Sequence, residues 1–301
     1  MAADPVSKRL LDQVRSLASG LSTVLLRGES GVGKKHLAQI LHCLGPYADE
    51  PFMCLPCGGA PAESLETELF GYEPGAFPGG TQTRRGRLEL ARAGTLVLEE
   101  VAAFSMATQA KFLRAIEQRS FLRLGSTRAI PIEARLVALT SVDLERAVTR
   151  RTFREDLYFR LNVVSVLVAP LRERRGDVLP LADYFLRHFA EVHRKPYLTF
   201  EAGALAALQA YSYPGNVREL RQIVERAVLN GTAPEILPQD LPACVREALP
   251  SLFRKMSLEE LERKYIAEVL DFTRGKKTQA ARILGISRKT LLEKRKRYGI
   301  A

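Results

Sequence analysis

Cysteine is scarce in this 301-residue chain: Cys43, Cys54, Cys57 and Cys244 are too few for a disulfide framework and suit a reducing compartment. Long apolar runs are missing as well. The longest, Val163 to Leu171, reaches only about half of the ~20 residues that a membrane-spanning helix needs. No charged segment followed by an apolar stretch opens the chain, so no signal peptide is read and a cytoplasmic location is expected. Internal repeats and low-complexity tracts are lacking too. What is there is 46% apolar and 26% charged, a composition that buries a core and argues against disorder. The length allows roughly two domains.

Positive charge is in excess, with 45 Lys and Arg against 34 Asp and Glu, and it is unevenly spread. From Arg254 onward there are 14 basic and 6 acidic residues, so most of the formal +11 sits in the last sixth of the chain. A clustered cationic end points to a polyanion, most commonly a phosphate backbone, rather than to a merely solvated face. His42, Cys43, Cys54 and Cys57 are four possible zinc ligands. Small buried thiols are the preferred reading, because Cys54 lies in the apolar stretch Phe52-Met53-Cys54-Leu55.

Apolar runs of strand length recur at Thr23–Leu26, Pro51–Leu55, Thr95–Leu98, Leu136–Thr140 and Val163–Val168, with helical patterns between them. Strands apolar throughout and alternating with helices predict an α/β domain with a parallel sheet covered on both faces. After Pro170 the patterns turn helical, near Val178–Phe189, Glu201–Tyr211 and Asn216–Leu229, which fits a helical lid. Pro234, Pro238, Pro242 and Pro250 then mark a linker. The expected division is 1–172 for the α/β part, 173–232 for the lid, 233–256 for the linker and 257–301 for a small all-α helix-turn-helix domain.

Gly28-Glu29-Ser30-Gly31-Val32-Gly33-Lys34 follows a strand and opens a helix, the context of a P-loop. Its glycines let backbone N–H groups turn onto phosphates, and Lys34 reaches the β and γ oxygens. The next residue is Lys35, where a Ser or Thr usually helps to hold Mg²⁺. Further on, the apolar strand Thr95-Leu96-Val97-Leu98 ends in Glu99 and Glu100. A carboxylate pair at that place serves Mg²⁺ with its first member and the attacking water with its second. ATP and Mg²⁺, the latter through Glu99, are the expected cofactors.

These residues resemble the AAA+ domain of the NtrC-type, sigma-54-dependent enhancer-binding proteins. Matching strings are Glu68-Leu69-Phe70-Gly71, Gly75-Ala76-Phe77, Gly94-Thr95-Leu96, Phe153-Arg154-Glu155-Asp156-Leu157-Tyr158, Arg160-Leu161-Asn162-Val163 and Pro214-Gly215-Asn216-Val217-Arg218-Glu219-Leu220. The basic C-terminal end is similar to that family's Fis-type DNA-binding domain. The resemblance implies that Arg154 and Arg160 act in trans on a neighbour's γ-phosphate in a ring, typically a hexamer. It implies that Arg218 is the sensor II arginine, and that Gly75, Ala76, Phe77, Pro78, Gly79 and Gly80 form the loop that touches sigma-54 holoenzyme.

The departures from that pattern fall at the chemistry. Pro78 and Gly80 replace a threonine and an alanine in the loop, which counts against sigma-54 contact. Glu99 replaces the Walker B aspartate, lengthening it by one methylene. Pro56 stands where the family has the asparagine that switches the catalytic glutamate, and Ser141 where it has the sensor I asparagine. Gly28 lies near the start, leaving room only for a helix such as Ser7–Ala18, so control is expected from a regulatory protein or a paralogue in the ring.

In the basic end, Leu258, Leu261, Tyr265, Val269 and Leu270 recur at helical spacing and predict a helix that pairs with its twin. Thr278 to Leu284 predicts a short helix, Gly285 a tight turn, and Ser287 the cap of a recognition helix running to Tyr298. Arg288, Lys289 and Thr290 are the candidates for base edges. Lys276, Lys277, Lys294, Arg295, Lys296 and Arg297 are expected at phosphates.

The expected function is an ATP-binding transcription regulator whose ring couples hydrolysis to remodelling of sigma-54 holoenzyme. The rival is a hydrolysis-deficient DNA-binding regulator, a repressor or mixed-ring subunit, with nucleotide as a structural ligand. A general AAA+ remodeller is a third reading, resting on the fold alone.

Overall fold

The computed structural model describes residues 3–59, 61–76, 81–195, 199–231, 234–247, 258–273 and 276–299. The chain divides into two compact units, Met1–Arg246 and Glu247–Ala301.

Five parallel strands form the frame of the first unit: β1 (Val24–Arg27), β2 (Phe52–Pro56), β3 (Thr95–Glu99), β4 (Arg135–Thr140) and β5 (Val164–Leu167), in the order β2-β3-β4-β1-β5. Side chains alternate across a strand, so each strand feeds two cores. Val24, Leu26, Val97 and Val137 meet Leu10 and Val14 of α1 (Pro5–Ala18) and Leu37 and Leu41 of α2 (Lys34–Cys43). On the other face Leu25, Leu96, Leu98 and Ala138 meet Phe112 and Leu113 of α3 (Met106–Gln118) and Leu157 and Leu161 of α4 (Glu155–Leu161). This double cover is why the strands read as unbroken apolar runs. Buried Arg135 donates to the carbonyls of Leu17 and Ala18 at 2.7 and 3.0 Å, so its charge meets the negative end of α1.

The lid follows as α5 (Val178–Val192), α6 (Ala202–Ala210) and α7 (Asn216–Asn230), with α5 packed on both of the others. Leu186, Phe189, Leu208, Leu220 and Val224 fill its centre. The stretch expected as a linker is corrected in part. Glu235–Ile236 pairs with Thr199–Phe200, and the short helix Ala243–Arg246 packs on α6. Ile236, Leu241 and Val245, spaced between the prolines, are buried, and burial of such side chains outweighs the turn-forming tendency of the prolines around them.

The second unit comprises α8 (Leu258–Phe272), α9 (Lys277–Ile283) and α10 (Arg288–Tyr298). Small Ala280 and Ala281 let α9 approach closely, and they share a core with Ile266, Val269, Leu270 and Leu291. Val269 and Leu270, expected to face a twin, are therefore used within the unit; among the described residues of α8, Tyr265 and Phe272 are large apolar side chains left exposed. The side chains of Leu258 and Leu261 lie outside the described residues. Among the described residues, no helix is long and apolar enough to cross a membrane.

Candidate functional site

The P-loop runs from the end of β1 into α2, and its glycines are required by geometry. At Gly31 (φ +79°) a Cβ would sit 2.4 Å from the Gly215 carbonyl, and at Gly28 2.5 Å from that of Val168. Gly33, at φ +102°, opens α2. Lys34 is 7% exposed; its ammonium donates to the Gly28 and Glu29 carbonyls at 2.6 and 3.1 Å and lies 3.5 Å from Glu100 Oε1. Burial pulls its pKa down while Glu100 opposes that shift.

Strand β3 delivers Glu99 and Glu100 to the same sheet edge. Glu100 adopts the left-handed conformation (φ 60°, ψ 56°), a costly one for a non-glycine residue that recurs at working sites. Its Oε2 accepts from both the amide (2.8 Å) and the hydroxyl (2.7 Å) of Ser141. Pro56 pairs in register with Glu99, and the Cys57 amide donates to the Glu99 carbonyl at 2.8 Å. The proline ring places no donor beside either carboxylate. Burial pushes the Cys57 thiol well above the usual cysteine range, whereas Cys43 is exposed and His42 bonds Thr95 at 3.0 Å.

Lys35 donates to Glu99 Oε1 at 2.8 Å. Sequence spacing gave no sign of this pair, because its members are 64 residues apart. A divalent ion here asks for oxygen donors, a hydroxyl beside the P-loop lysine and a free carboxylate at the strand end. An ammonium stands in the first place and is bonded to the second. The residues present do not fit Mg²⁺ held by Glu99.

The lid reaches the P-loop directly. Arg218 donates to Ser30 Oγ at 2.9 Å, and its amide to the Gly31 carbonyl at 3.3 Å. Buried Asn216 donates to Glu29 Oε2 (3.0 Å) and the Ser30 carbonyl (3.1 Å), and its own carbonyl accepts from the Leu171 amide (2.8 Å). Arg172 grips Glu29 with two bonds of 2.6 and 2.8 Å. The Arg172 bonds, and then that of Asn216, lower the Glu29 pKa to about 2. Arg174, largely buried, donates to the Val32 carbonyl at 2.6 Å. Arg172, Arg174 and Asn216 carried no role in the sequence reading, since each acts across more than a hundred residues. A cavity of about 550 Å³ opens beside Val32 and Gly33, walled by Leu10, Leu37, Tyr184 and Phe185. Its size and apolar walls suit a flat ring.

Arg154 and Arg160 make no hydrogen bond to the P-loop. The Arg154 guanidinium is paired with Asp156 at 2.7 and 3.0 Å, and Arg160 projects from α4, exposed, beside a shallow cavity with Leu21 and Val163. Gly75 and Ala76 sit at the base of the expected contact loop, near the Glu73–Arg123–Glu89 ion pairs. Phe77, Pro78, Gly79 and Gly80 lie outside the described residues.

In the second unit Gly285 takes φ +64° between α9 and α10, and Ser287 Oγ caps α10 by accepting from the Thr290 amide at 3.0 Å. The Thr290 hydroxyl is itself tied to Ser287 at 2.8 Å. Arg288 and Lys289 are exposed in the first turn, and Lys276, Lys277 and Lys296 are exposed as well. Lys294 and Arg297 are different: Lys294 pairs with Glu262, which also accepts from Tyr298 at 2.6 Å, and Arg297 donates to Glu259 at 2.8 Å, so both brace α10 against α8.

A model of the sigma-54 interaction domain matches residues 1–167, more than half of the chain. The chain belongs to the sigma-54 activator family of AAA+ regulators. An AAA+ ATPase lid domain matches residues 172–257 and a bacterial regulatory protein of the Fis family residues 257–298, which makes the second unit a Fis-type DNA-binding domain. The chain is similar to Regulatory protein AtoC of Escherichia coli, 37% identical over 98% of this chain and 67% of that protein. It is 41% identical to Transcriptional regulatory protein ZraR of Salmonella typhimurium, over the same shares. NtrX from Brucella abortus in complex with ADP superposes with a TM-score of 0.78 at 31% identity, covering 100% of this chain and 70% of that one. The same protein in complex with ATP gives 0.74 at 33%.

Proposed function

We propose that this protein is a DNA-bound transcription regulator that uses ATP as an assembly ligand and hydrolyses it slowly. The observation that carries this reading is Glu100. A general base must be free to take a proton from the attacking water. Here one carboxylate oxygen accepts two bonds from Ser141 and the other faces the Lys34 ammonium. The P-loop, the lid contacts of Arg218 and the apolar cavity beside Gly33 support ATP binding, with adenine in that cavity. Arg154 and Arg160, away from their own P-loop, support a ring in which each subunit's arginines face a neighbour's nucleotide. Arg288 and Lys289 support base contacts in the major groove, and Lys276, Lys277 and Lys296 support phosphate contacts. A dimer through the exposed Tyr265 and Phe272 fits paired half-sites, and the cytoplasm is the matching compartment.

The test is ATP turnover across a protein concentration series, with Lys34→Ala and Arg160→Ala as controls. Tight ATP binding with turnover far below that of a family member is the expected result. Turnover that rises with concentration and vanishes in both variants would instead establish an assembling ATPase, for which remodelling of sigma-54 holoenzyme is the next assay.

A further inference from the structure

The two protein groups that hold a divalent ion at a P-loop are an oxygen beside the P-loop lysine and the first carboxylate at the strand end. In this chain the first is the ammonium of Lys35 and the second, Glu99, accepts a bond from that ammonium at 2.8 Å. Lys35 lies in the first turn of α2 next to Lys34, so two adjacent ammonium groups leave the helix end at which phosphates bind. The Lys35 side chain is more than half exposed, so the pair contributes little stability and the ammonium is free to swing toward a bound anion. A lysine is a compact point charge on a flexible stem, able to neutralise phosphate oxygens without the octahedral shell that Mg²⁺ demands.

We propose that Lys35 takes the place of the divalent cation at this phosphate site, so that the protein binds ADP and ATP without Mg²⁺. The inference rests on the nucleotide-binding reading above and specifies the ligand as the metal-free nucleoside polyphosphate. With phosphate bound, Lys34, Lys35 and Arg218 supply three positive charges from the P-loop, α2 and the lid. Glu29 is already neutralised by the two bonds from Arg172 and does not oppose them. Glu99 then serves to aim Lys35, as a positioning residue for that side chain.

The experiment is equilibrium binding of ADP and of ATP to the full chain by calorimetry, in excess EDTA and in excess Mg²⁺. The expected result is a Kd that changes by less than about threefold between the two buffers. Lys35→Ala is expected to weaken binding about tenfold in EDTA, with Mg²⁺ restoring much of the loss, since the ion then reaches a freed Glu99. Lys35→Thr with Glu99→Asp, which rebuilds an oxygen pair, is expected to make binding Mg²⁺-dependent. Wild-type binding that needs Mg²⁺ would overturn this inference and leave the nucleotide-binding reading standing. No binding in either buffer would overturn both. Equal affinities for wild type and Lys35→Ala in EDTA would also overturn it, because Lys35 would then play no part.

Discussion

The grip on the nucleotide and the machinery for cutting it meet at one sheet edge, yet this chain treats them differently. On the gripping side the glycines adopt the conformations a P-loop needs, Lys34 is buried at its mouth, and Arg218, Asn216 and Arg172 tie lid to loop. On the cutting side Lys35 bonds Glu99, Ser141 bonds one carboxylate oxygen of Glu100 twice, and Pro56 places no donor beside either carboxylate. The difference teaches that nucleotide binding and turnover place separate demands on side chains: binding draws on backbone shape and cations such as Lys34, whereas turnover needs free carboxylates.

The contrast is broken most sharply at Lys34. Lys34→Ala removes charge-assisted bonds to phosphate worth about 3 kcal/mol, so nucleotide affinity should fall roughly a hundredfold in calorimetry. Retained affinity would mean that the P-loop does not grip phosphate. In the DNA-binding unit the proposed roles draw a parallel contrast between reading and holding. Arg288→Ala should cost about 1–3 kcal/mol and relax sequence preference, whereas Lys296→Ala should weaken all sequences alike and lower the salt slope by about 1. Equal, sequence-blind losses in a titration against operator and random duplexes would count against this placement. On the cutting side Ser141→Ala removes one of two donors to Glu100 and should raise single-turnover hydrolysis by about tenfold if the held base is the brake.

The smallest effect concerns the lid latch. Glu29 has its pKa lowered from 4.5 to about 2, so the Arg172–Glu29 bond contributes stability above pH 4.5 and loses it as pH falls toward 2. Because the pair is exposed, Arg172→Ala should cost under about 1 kcal/mol at neutral pH. Thermal melting of wild type and variant should converge as the buffer is acidified below that range. A constant difference would mean that the pair contributes through packing rather than charge.

Much of this was legible in the sequence because it is local. The P-loop, the strand ending in Glu99-Glu100 and the turn at Gly285 are fixed by spacings of a few residues, and their backbone demands leave few alternatives. What the sequence hid is long-range. The Lys35–Glu99 pair, the hold of Ser141 on Glu100 and the Arg172–Glu29 latch span 64, 41 and 143 residues, and no periodicity records them. Two expectations failed because burial decided them. Ile236, Leu241 and Val245 fold the expected linker onto the lid, and Val269 and Leu270 close the core of their own unit before a twin is met. Lys294, read as a phosphate contact, is drawn to Glu262 for a different reason, an ion pair with a neighbouring helix.

The most direct test of retained binding with impaired cutting is a single-turnover experiment, in which excess protein is mixed with labelled ATP and the bound nucleotide is recovered after quenching. The account predicts intact ATP on the protein through many turnover times of an active family member. Rapid conversion to ADP that is lost in Glu100→Gln would contradict it.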